Sequence, residues 1–393
     1  MATSESIRSA IITLVAGGEA TSRTELCHAL RAPASTVSAA VQSLIAAGLL
    51  TESGTARSTG GRPRKRLAIT ASAEYVVAAE VGSSHARVGV VTATGGLTTA
   101  RVIPFAVADG PEAGIDRLVA AFQDLIAEHG AAGLAGAGIA LPGPVRPDEG
   151  VADSPSRMPG WHLYPVREVA ERRLGVPVLV DNDANMMAFG EYTAHPETRT
   201  LITVKAGTAI GAGFVVDGNL FRGRQGAAGD LTHVRVASAG DRVCGCGNTG
   251  CLETVASGAA LAGQLRAAGV DVASSQDIVD LIHHEHPLAT QAAREAGRAV
   301  GEVLAAIVNF TTPDAVYLGG VFSSAEPYVA AVRGRLYESC HPLATRELVI
   351  GVATTGQDAA VLGVGRLALQ QTRNRSISSL TNPSPRRTAH HGS

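Results

Sequence analysis

The stretch Gly226-Ala-Ala-Gly-Asp-Leu-Thr-His-Val-Arg-Val-Ala-Ser-Ala-Gly-Asp-Arg-Val-Cys-Gly-Cys-Gly-Asn-Thr-Gly-Cys-Leu-Glu253 concentrates metal-binding chemistry in an otherwise weakly charged chain. His233, Cys244, Cys246 and Cys251 have the spacing of a closed four-ligand zinc site. Three thiols so close together, and odd in number, do not form a disulfide framework. The remaining cysteines, Cys27 and Cys340, stand alone. The pattern predicts a structural zinc and buried thiols in a reducing, cytoplasmic setting. Asp230 and Glu253 flank the four ligands and can face a polar molecule.

Outward from this stretch, the composition sets the frame. The chain has 393 residues, 45% apolar and 17% charged, which is globular material for two or three domains. The net charge of -2 excludes a generally basic nucleic-acid binder but leaves room for a local basic region. No run reaches the roughly 18 unbroken apolar residues of a membrane span. The start lacks the basic segment and cleavage site of a signal peptide.

The first seventy residues form a unit of their own. Ile7, Ile11, Leu14 and Val15 recur at helical spacing up to Gly17-Gly18. Thr21 or Ser22 can cap a second helix, with Glu25 placed as in a capping box. Ser35 is expected to cap a third helix over Thr36 to Ala47, and Leu49-Leu50 to start a strand. Three short helices and a hairpin are the layout of a winged helix-turn-helix. The third helix offers Ser35, Thr36, Ser38, Gln42 and Ser43 to phosphates and base edges. The hairpin tip, Arg57-Ser-Thr-Gly-Gly-Arg-Pro-Arg-Lys-Arg66, carries Arg57, Arg62, Arg64 and Lys65 with no acid, which suits a minor groove. Residues 1–70 hold eight basic against four acidic side chains.

A second unit follows. Tyr75 to Val81, His85 to Val91 and a third strand through Ile103 read as an antiparallel meander. A helix over Gly114 to His129 and a buried strand ending in Leu141-Pro-Gly-Pro144 come next. Pro177 to Val180 is a strand that runs into Asp181-Asn-Asp-Ala-Asn185, and polar residues at the carboxyl end of a buried strand mark sites in α/β folds. Helix capping is the alternative reading of Asp183. Beyond it come a strand from Thr200, the glycine-rich turn Gly207-Thr208-Ala209, a long helix over Leu288 to Phe310, a strand ending in Gly319-Gly320, and a helix over Asp358 to Gln370. Such turns can cradle phosphate or sugar through backbone N–H groups. Two meander-plus-helix units in series predict two similar α/β lobes around a cleft. The expected domains are 1–72 for the head, 73–371 for the lobes and 372–393 for a disordered tail. Within the lobes, 73–181 plus a C-terminal helix 356–371 form the small one and 182–355 the large one.

Taken together, Leu141-Pro-Gly-Pro144, Pro159-Gly160-Trp161, Asp181-Asn-Asp-Ala-Asn185, Gly229-Asp-Leu-Thr-His233, Cys244-Gly-Cys-Gly-Asn-Thr-Gly-Cys-Leu-Glu253 and Gly319-Gly320 resemble the ROK family of repressors, open reading frames and kinases. The head, with its Ser-Thr-Gly-Gly-Arg-Pro tip, resembles that of the ROK repressors. The resemblance implies the two-lobed, actin-like, ribonuclease H-like fold of sugar kinases. It implies zinc on His233, Cys244, Cys246 and Cys251, and sugar hydroxyls on Asn182, Asp183, Asp230, His233 and Glu253. In kinase members the residue at position 183 is the general base.

The departures fall mainly on the nucleotide side, the sugar side differing by one Glu-to-Asp change at Asp230. The kinase phosphate loop resembles Asp-x-Gly-Gly-Thr-Lys, and here it reads Glu80-Val-Gly82-Ser83-Ser84-His85. In the second loop, Gly-Thr-Gly becomes Gly207-Thr208-Ala209. Both changes add side-chain bulk where phosphates would approach, and both argue against ATP and magnesium. The function expected is therefore a sugar-responsive DNA-binding regulator. Such a protein would act as a homodimer or homotetramer on an inverted-repeat operator, as a repressor that a sugar releases. The alternative is an ATP-dependent sugar kinase with a fused DNA-binding head.

Overall fold

The structure, a computed structural model, describes residues 4–16, 20–46, 49–55, 65–70, 74–155 and 157–381. Arg57, Arg62 and Arg64 of the expected DNA contacts, and residues 382–393 of the expected tail, lie outside them.

The head contains helices Ser4–Ala16, Arg23–Ala29 and Ala34–Ala46 and a hairpin of strands Leu50–Thr55 and Lys65–Ile69. Ile11, Leu26, Val37, Val41, Leu44, Leu50 and Leu67 share one small core. Ser22 caps the second helix, its Oγ accepting from the Glu25 N–H at 3.3 Å. Glu25 returns the contact one residue early, accepting from the Thr21 N–H at 2.7 Å. The third helix starts before Ser35, because the Pro33 carbonyl already accepts from Val37. Ser35 is therefore a first-turn residue and not the cap. Ser35, Thr36, Ser38 and Gln42 are exposed, whereas Ser43 is half-buried. Lys65 pairs with Glu52 of the neighbouring strand, which also takes Arg23 at 2.8 Å.

The two lobes are built on one plan. In the first, strands Tyr75–Val81, His85–Thr92 and Leu97–Pro104 form the meander. Leu134–Leu141 and Val178–Asn182 then extend it in parallel on the other side of Tyr75–Val81. In the second, Thr200–Ala206, Ile210–Val216 and Asn219–Leu220 repeat the meander. Ala315–Gly319 and Val349–Val352 repeat the parallel extension. Each sheet has five strands in the order third, second, first, fourth, fifth. The central strands are apolar on both faces because helices cover both.

Helix Pro111–His129 covers the first sheet, with Pro at its first turn and Gly130 ending it. It starts three residues earlier than its apolar periodicity indicates, since Pro111 fits where the N–H is unused. Trp161 packs under this helix, fully buried, and its Nε1 donates to the Val107 carbonyl at 3.0 Å. That contact gives Pro159-Gly160-Trp161 its role: it pins the loop that carries Arg157.

The lobes exchange helices. Asp183–Tyr192 follows the first sheet but packs on the second, and Ala359–Thr381 follows the second but packs on the first. The two helices cross where Gly190 meets Gly363. A Cβ on Gly190 would lie 1.9 Å from the Ala359 carbonyl oxygen, and one on Gly363 1.9 Å from that of Met186. The last helix also corrects an expectation. It continues past Gln371 to Thr381, ten residues into the expected disordered tail. Arg373 explains the extension, since it is buried, donates to the Ala93 carbonyl at 2.8 Å and pairs with Glu74. The same helix approaches Ser4–Ala16 of the head. No helix among the described residues is long and apolar enough to cross a membrane.

Candidate functional site

The 226–253 segment folds back on itself. Leu252 and Glu253 donate their N–H groups to the carbonyls of Val234 and Thr232. Arg235 bridges Cys251, and Val243 bridges Thr249. This pairing brings His233 beside the cysteines. The ligand atoms of His233, Cys244, Cys246 and Cys251 all lie within 4.8 Å of one another, a group that can hold a metal ion. His233 turns Nδ1 toward the group, 3.6 Å from Cys244 Sγ, which leaves Nε2 for another partner.

Glu253 sits at the other face of the same fold. It is buried, Arg157 of the first lobe binds its Oε1, and its Oε2 is buried without a hydrogen-bond partner among the described residues. Burial pushes its carboxyl up, against the pull of Arg157. Asp230 is exposed and accepts from the Thr232 hydroxyl. The segment also reaches the first lobe at Gly226. A Cβ there would meet the Val145 carbonyl oxygen at 2.2 Å, and φ is +77°, so only glycine fits this approach.

Asn182 and Asp183 lie at the end of strand Val178–Asn182. Asn182 is the helix cap, its Oδ1 accepting from Asn185 at 3.0 Å while its Nδ2 donates to the Gly143 carbonyl at 2.7 Å. That ties it to the Leu141-Pro-Gly-Pro144 loop. Capping therefore belongs to Asn182, and Asp183 is left to other work. Asp183 Oδ1 accepts from the Ala184 N–H at 2.8 Å, and Oδ2 accepts from Lys205 Nζ at 2.6 Å. Lys205 also binds Glu80. Burial disfavours the Lys205 charge, but the two carboxylates outweigh it and raise the pKa above the ordinary lysine value. Burial pushes the Asp183 carboxyl up, with Lys205 pulling it back.

The expected residues fall into two groups. Asn182 and Asp183 form one, and Asp230, His233 and Glu253 the other; the Gly143 carbonyl meets Asn182, and the Val145 carbonyl lies against Gly226 at the start of the cysteine segment. The segments expected as nucleotide loops form tight turns and close contacts. Gly82 donates its N–H to the His85 carbonyl at 2.8 Å, closing a tight turn that leaves Ser83 and Ser84 exposed. Gly207 and Thr208 meet helix Gly258–Ala267 through their carbonyls. Gly320, at φ +78°, lies so close to Ala206 that a Cβ would come within 2.4 Å of its carbonyl oxygen, while Gly319 packs against Met187.

Three cations were not legible as site residues. Lys205 precedes the Gly207 turn. Arg157 precedes Pro159-Gly160. Arg222 donates to the fully buried Asp181 from Nε at 2.9 Å and from Nη2 at 2.6 Å. Each crosses between the lobes to a carboxylate, and the only sequence signal is a basic residue next to a glycine turn.

The chain is similar to the xylose repressor of Bacillus subtilis (strain 168), with 28% identity over 353 residues, 88% of this chain and 91% of that protein. It is similar to a glucokinase of Halalkalibacterium halodurans, with 27% identity over 320 residues, 76% of this chain and 96% of that protein. Among solved structures, a ROK family glucokinase from Streptomyces griseus in complex with glucose and AMPPNP superposes with a TM-score of 0.67. That match has 26% identity and covers 75% of this chain and 99% of that one. A ROK family transcriptional regulator, homolog of the E. coli MLC protein, superposes with a TM-score of 0.77. At 22% identity over 96% of this chain and 98% of that one, it shows the same fold, head included. A family model described as ROK family matches residues 76–371, which span both sheets, the crossed helices and the cysteine segment, and this chain is a member of that family.

Proposed function

We propose that this protein is a sugar-responsive DNA-binding transcriptional regulator, a repressor whose operator affinity falls when a sugar enters the cleft. The observation that carries the sugar half is Glu253, a buried carboxylate with one oxygen held by Arg157 and the other without a hydrogen bond among the described residues. A buried oxygen left unpaired costs about 1–3 kcal/mol, which a ligand hydroxyl recovers. Asn182, Asp183, Asp230 and His233 Nε2 would supply further polar partners to the same ligand. The DNA half rests on the exposed Ser35, Thr36, Ser38 and Gln42 of the third helix, together with Arg57, Arg62, Arg64 and Lys65 in the chain segment of the wing. The kinship with a xylose repressor across 88% of this chain supports joining the two halves. The protein would act in the cytoplasm as a dimer or tetramer on an inverted repeat.

The cysteine segment fits zinc. A tetrahedral ion with Zn–S bonds of about 2.3 Å and a Zn–N bond of about 2.05 Å has S···S edges of about 3.8 Å and S···N edges of about 3.6 Å. Cys246 and Cys251 lie 3.8 Å apart at sulfur, and Cys244 lies 3.6 Å from His233 Nδ1. Four protein donors would close the coordination sphere, so the ion would supply a cross-link and no reaction. His233 and Glu253 would then be held in aim by a rigid loop.

Sugar binding would act through the ties between the lobes. A hydroxyl that engages Glu253 and Asp183 changes what Arg157 and Lys205 gain by holding the lobes in their present arrangement. The helix Ala359–Thr381 runs from the lobe crossing toward the head and can carry that change. The ligand shifts the equilibrium only by its differential affinity for the two arrangements.

A second reading, an ATP-dependent sugar kinase with Asp183 as base, is favoured by the placement of Asp183 at the carboxyl end of strand Val178–Asn182. The residues present do not fit ATP and magnesium, because the Lys205 ammonium already lies between Glu80 and Asp183. The test is a thermal-shift series on the full-length protein with D-xylose, D-glucose and N-acetyl-D-mannosamine, followed by selection of bound DNA from a random pool. A melting temperature raised by one sugar, and recovery of an inverted repeat, are expected. No shift with any sugar, or no enriched sequence, contradicts the corresponding half.

A further inference from the structure

Lys205 stands on strand Thr200–Ala206 of the second lobe, and its ammonium touches two carboxylates from elsewhere in the chain. Asp183 Oδ2 opens the exchanged helix, 2.6 Å away, and Glu80 reaches over from strand Tyr75–Val81 of the first lobe. Both carboxylates are largely shielded from solvent, and both meet the same nitrogen. Asp183 Oδ1 is occupied as well, by the Ala184 N–H at 2.8 Å and by Asn182 Nδ2 at 3.3 Å. Two acidic side chains converging on one point from two lobes are the donor set of a hard divalent cation. Here the point is filled by the protein's own charge.

We propose that Lys205 is a built-in cation that takes the place of a divalent metal between Glu80 and Asp183, ties the two lobes together and closes the corner to phosphoryl transfer. Three features support the assignment. The glutamate at position 80 has the reach that the contact needs, since the carboxylate must cross to the other lobe. A divalent ion beside a fixed ammonium would meet repulsion at close range in a shielded site. And Asp183 already holds a donor on each oxygen, the Ala184 N–H on Oδ1 and the Lys205 ammonium on Oδ2, so it can accept a hydroxyl as a further hydrogen-bond partner but is poorly placed to take its proton. The last point rests on the sugar-binding reading above, while the cation itself does not.

The substitution that reports on this is Lys205→Ala in the full-length protein, with Mn2+ as the probe, read by electron paramagnetic resonance and by calorimetric titration. Neither readout involves sugar or DNA, so this proposal and the regulator reading can fail separately. Wild type is expected to take up no Mn2+ at this corner. Lys205→Ala is expected to bind about one Mn2+ per chain, at least tenfold more tightly than wild type. The added site should vanish in Lys205→Ala/Glu80→Gln, which keeps the cysteine segment intact and so separates the two metal positions. If Lys205→Ala alone does not fold, Mn2+ should restore its Trp161 fluorescence where Na+ does not, and the double variant should fold without metal. The proposal is overturned if folded Lys205→Ala binds Mn2+ no better than wild type. It is equally overturned if wild type binds Mn2+ and Glu80→Gln abolishes that binding, or if wild type turns over ATP with any of the three sugars and Asp183→Asn stops it.

Discussion

Replacing Gly190 by Ala tests the helix exchange that joins the two lobes. The added methyl would lie 1.9 Å from the Ala359 carbonyl oxygen and 2.8 Å from its carbon, both backbone atoms that cannot rotate away. An ordinary contact of about 3.4 Å requires the helices to part by roughly 1.5 Å, and overpacking of this kind costs typically about 1–3 kcal/mol. Alanine recovers up to about 1 kcal/mol through its better helix propensity. The net loss expected is about 1–2 kcal/mol. Trp161, the single tryptophan, is buried in the first lobe, whose sheet the helix Ala359–Thr381 covers. Its fluorescence in urea therefore reports the loss. With a slope of about 3 kcal/mol per molar urea, the midpoint should fall by about 0.3–0.7 M. Gly363→Ala should behave alike, since its methyl would meet the Met186 carbonyl oxygen from the other side. An unchanged or raised midpoint in both variants would mean that the helices do not touch at this crossing.

Three other outcomes follow from the same contacts. Cys251→Ser should leave purified protein with well under one equivalent of zinc, measured by elemental analysis, and should weaken the sugar-induced thermal shift while the Trp161 signal stays native. Glu191 is fully buried and accepts from the N–H and hydroxyl groups of Thr354 and Thr355, with His195 Nε2 2.8 Å away. Burial raises its pKa, but these bonds more than offset it and hold the carboxyl below the ordinary value. Glu191→Gln should therefore cost about 1–3 kcal/mol at pH 7, by facing buried donors with an amide. A folded pKa below the unfolded one means the advantage is complete above the unfolded value and is lost as pH falls through the folded one. The gap between wild type and Glu191→Gln in urea unfolding should thus shrink below about pH 4.3. Arg222→Met should lower the urea midpoint, because Asp181 is fully buried and, among the described residues, keeps only Asn182 N–H and Asn185 Nδ2 as partners. Breaking such a pair costs about 3–5 kcal/mol in a fully buried setting, and less here because Arg222 is partly exposed.

Much of this architecture is readable because local chemistry dictates it. Ser22 with Glu25 marks a helix start, the Cys-x-Cys spacing marks a metal loop, and Asn182-Asp183 marks the carboxyl end of a buried strand. What escapes is set by tertiary contact. Lys205 is an unremarked basic residue until Glu80, 125 positions away, is brought to it. Helix Asp183–Tyr192 directly follows a strand of one sheet, and chain order gives no sign that it packs on the other. Thr372 to Thr381 lacks apolar periodicity, so its helix is legible only once Arg373 is seen in contact with Ala93 and Glu74. Glu80 stands in the sequence where the kinase loop has Asp, and its extra reach acquires a reason only when the lysine appears.

In the proposed mechanism a sugar between the lobes and DNA at the head share one equilibrium. The direct measurement is the affinity of full-length protein for its selected operator, by fluorescence anisotropy at fixed salt, with and without the sugar that stabilises it. Wild type should lose affinity with sugar by about 5–150-fold, the usual range of such coupling. Glu253→Gln should bind the operator equally well without sugar and need about 10–100-fold more sugar to release it, the loss expected for a charge-assisted hydrogen bond. Operator affinity that no sugar alters, or release that Glu253→Gln leaves unchanged, would contradict the account.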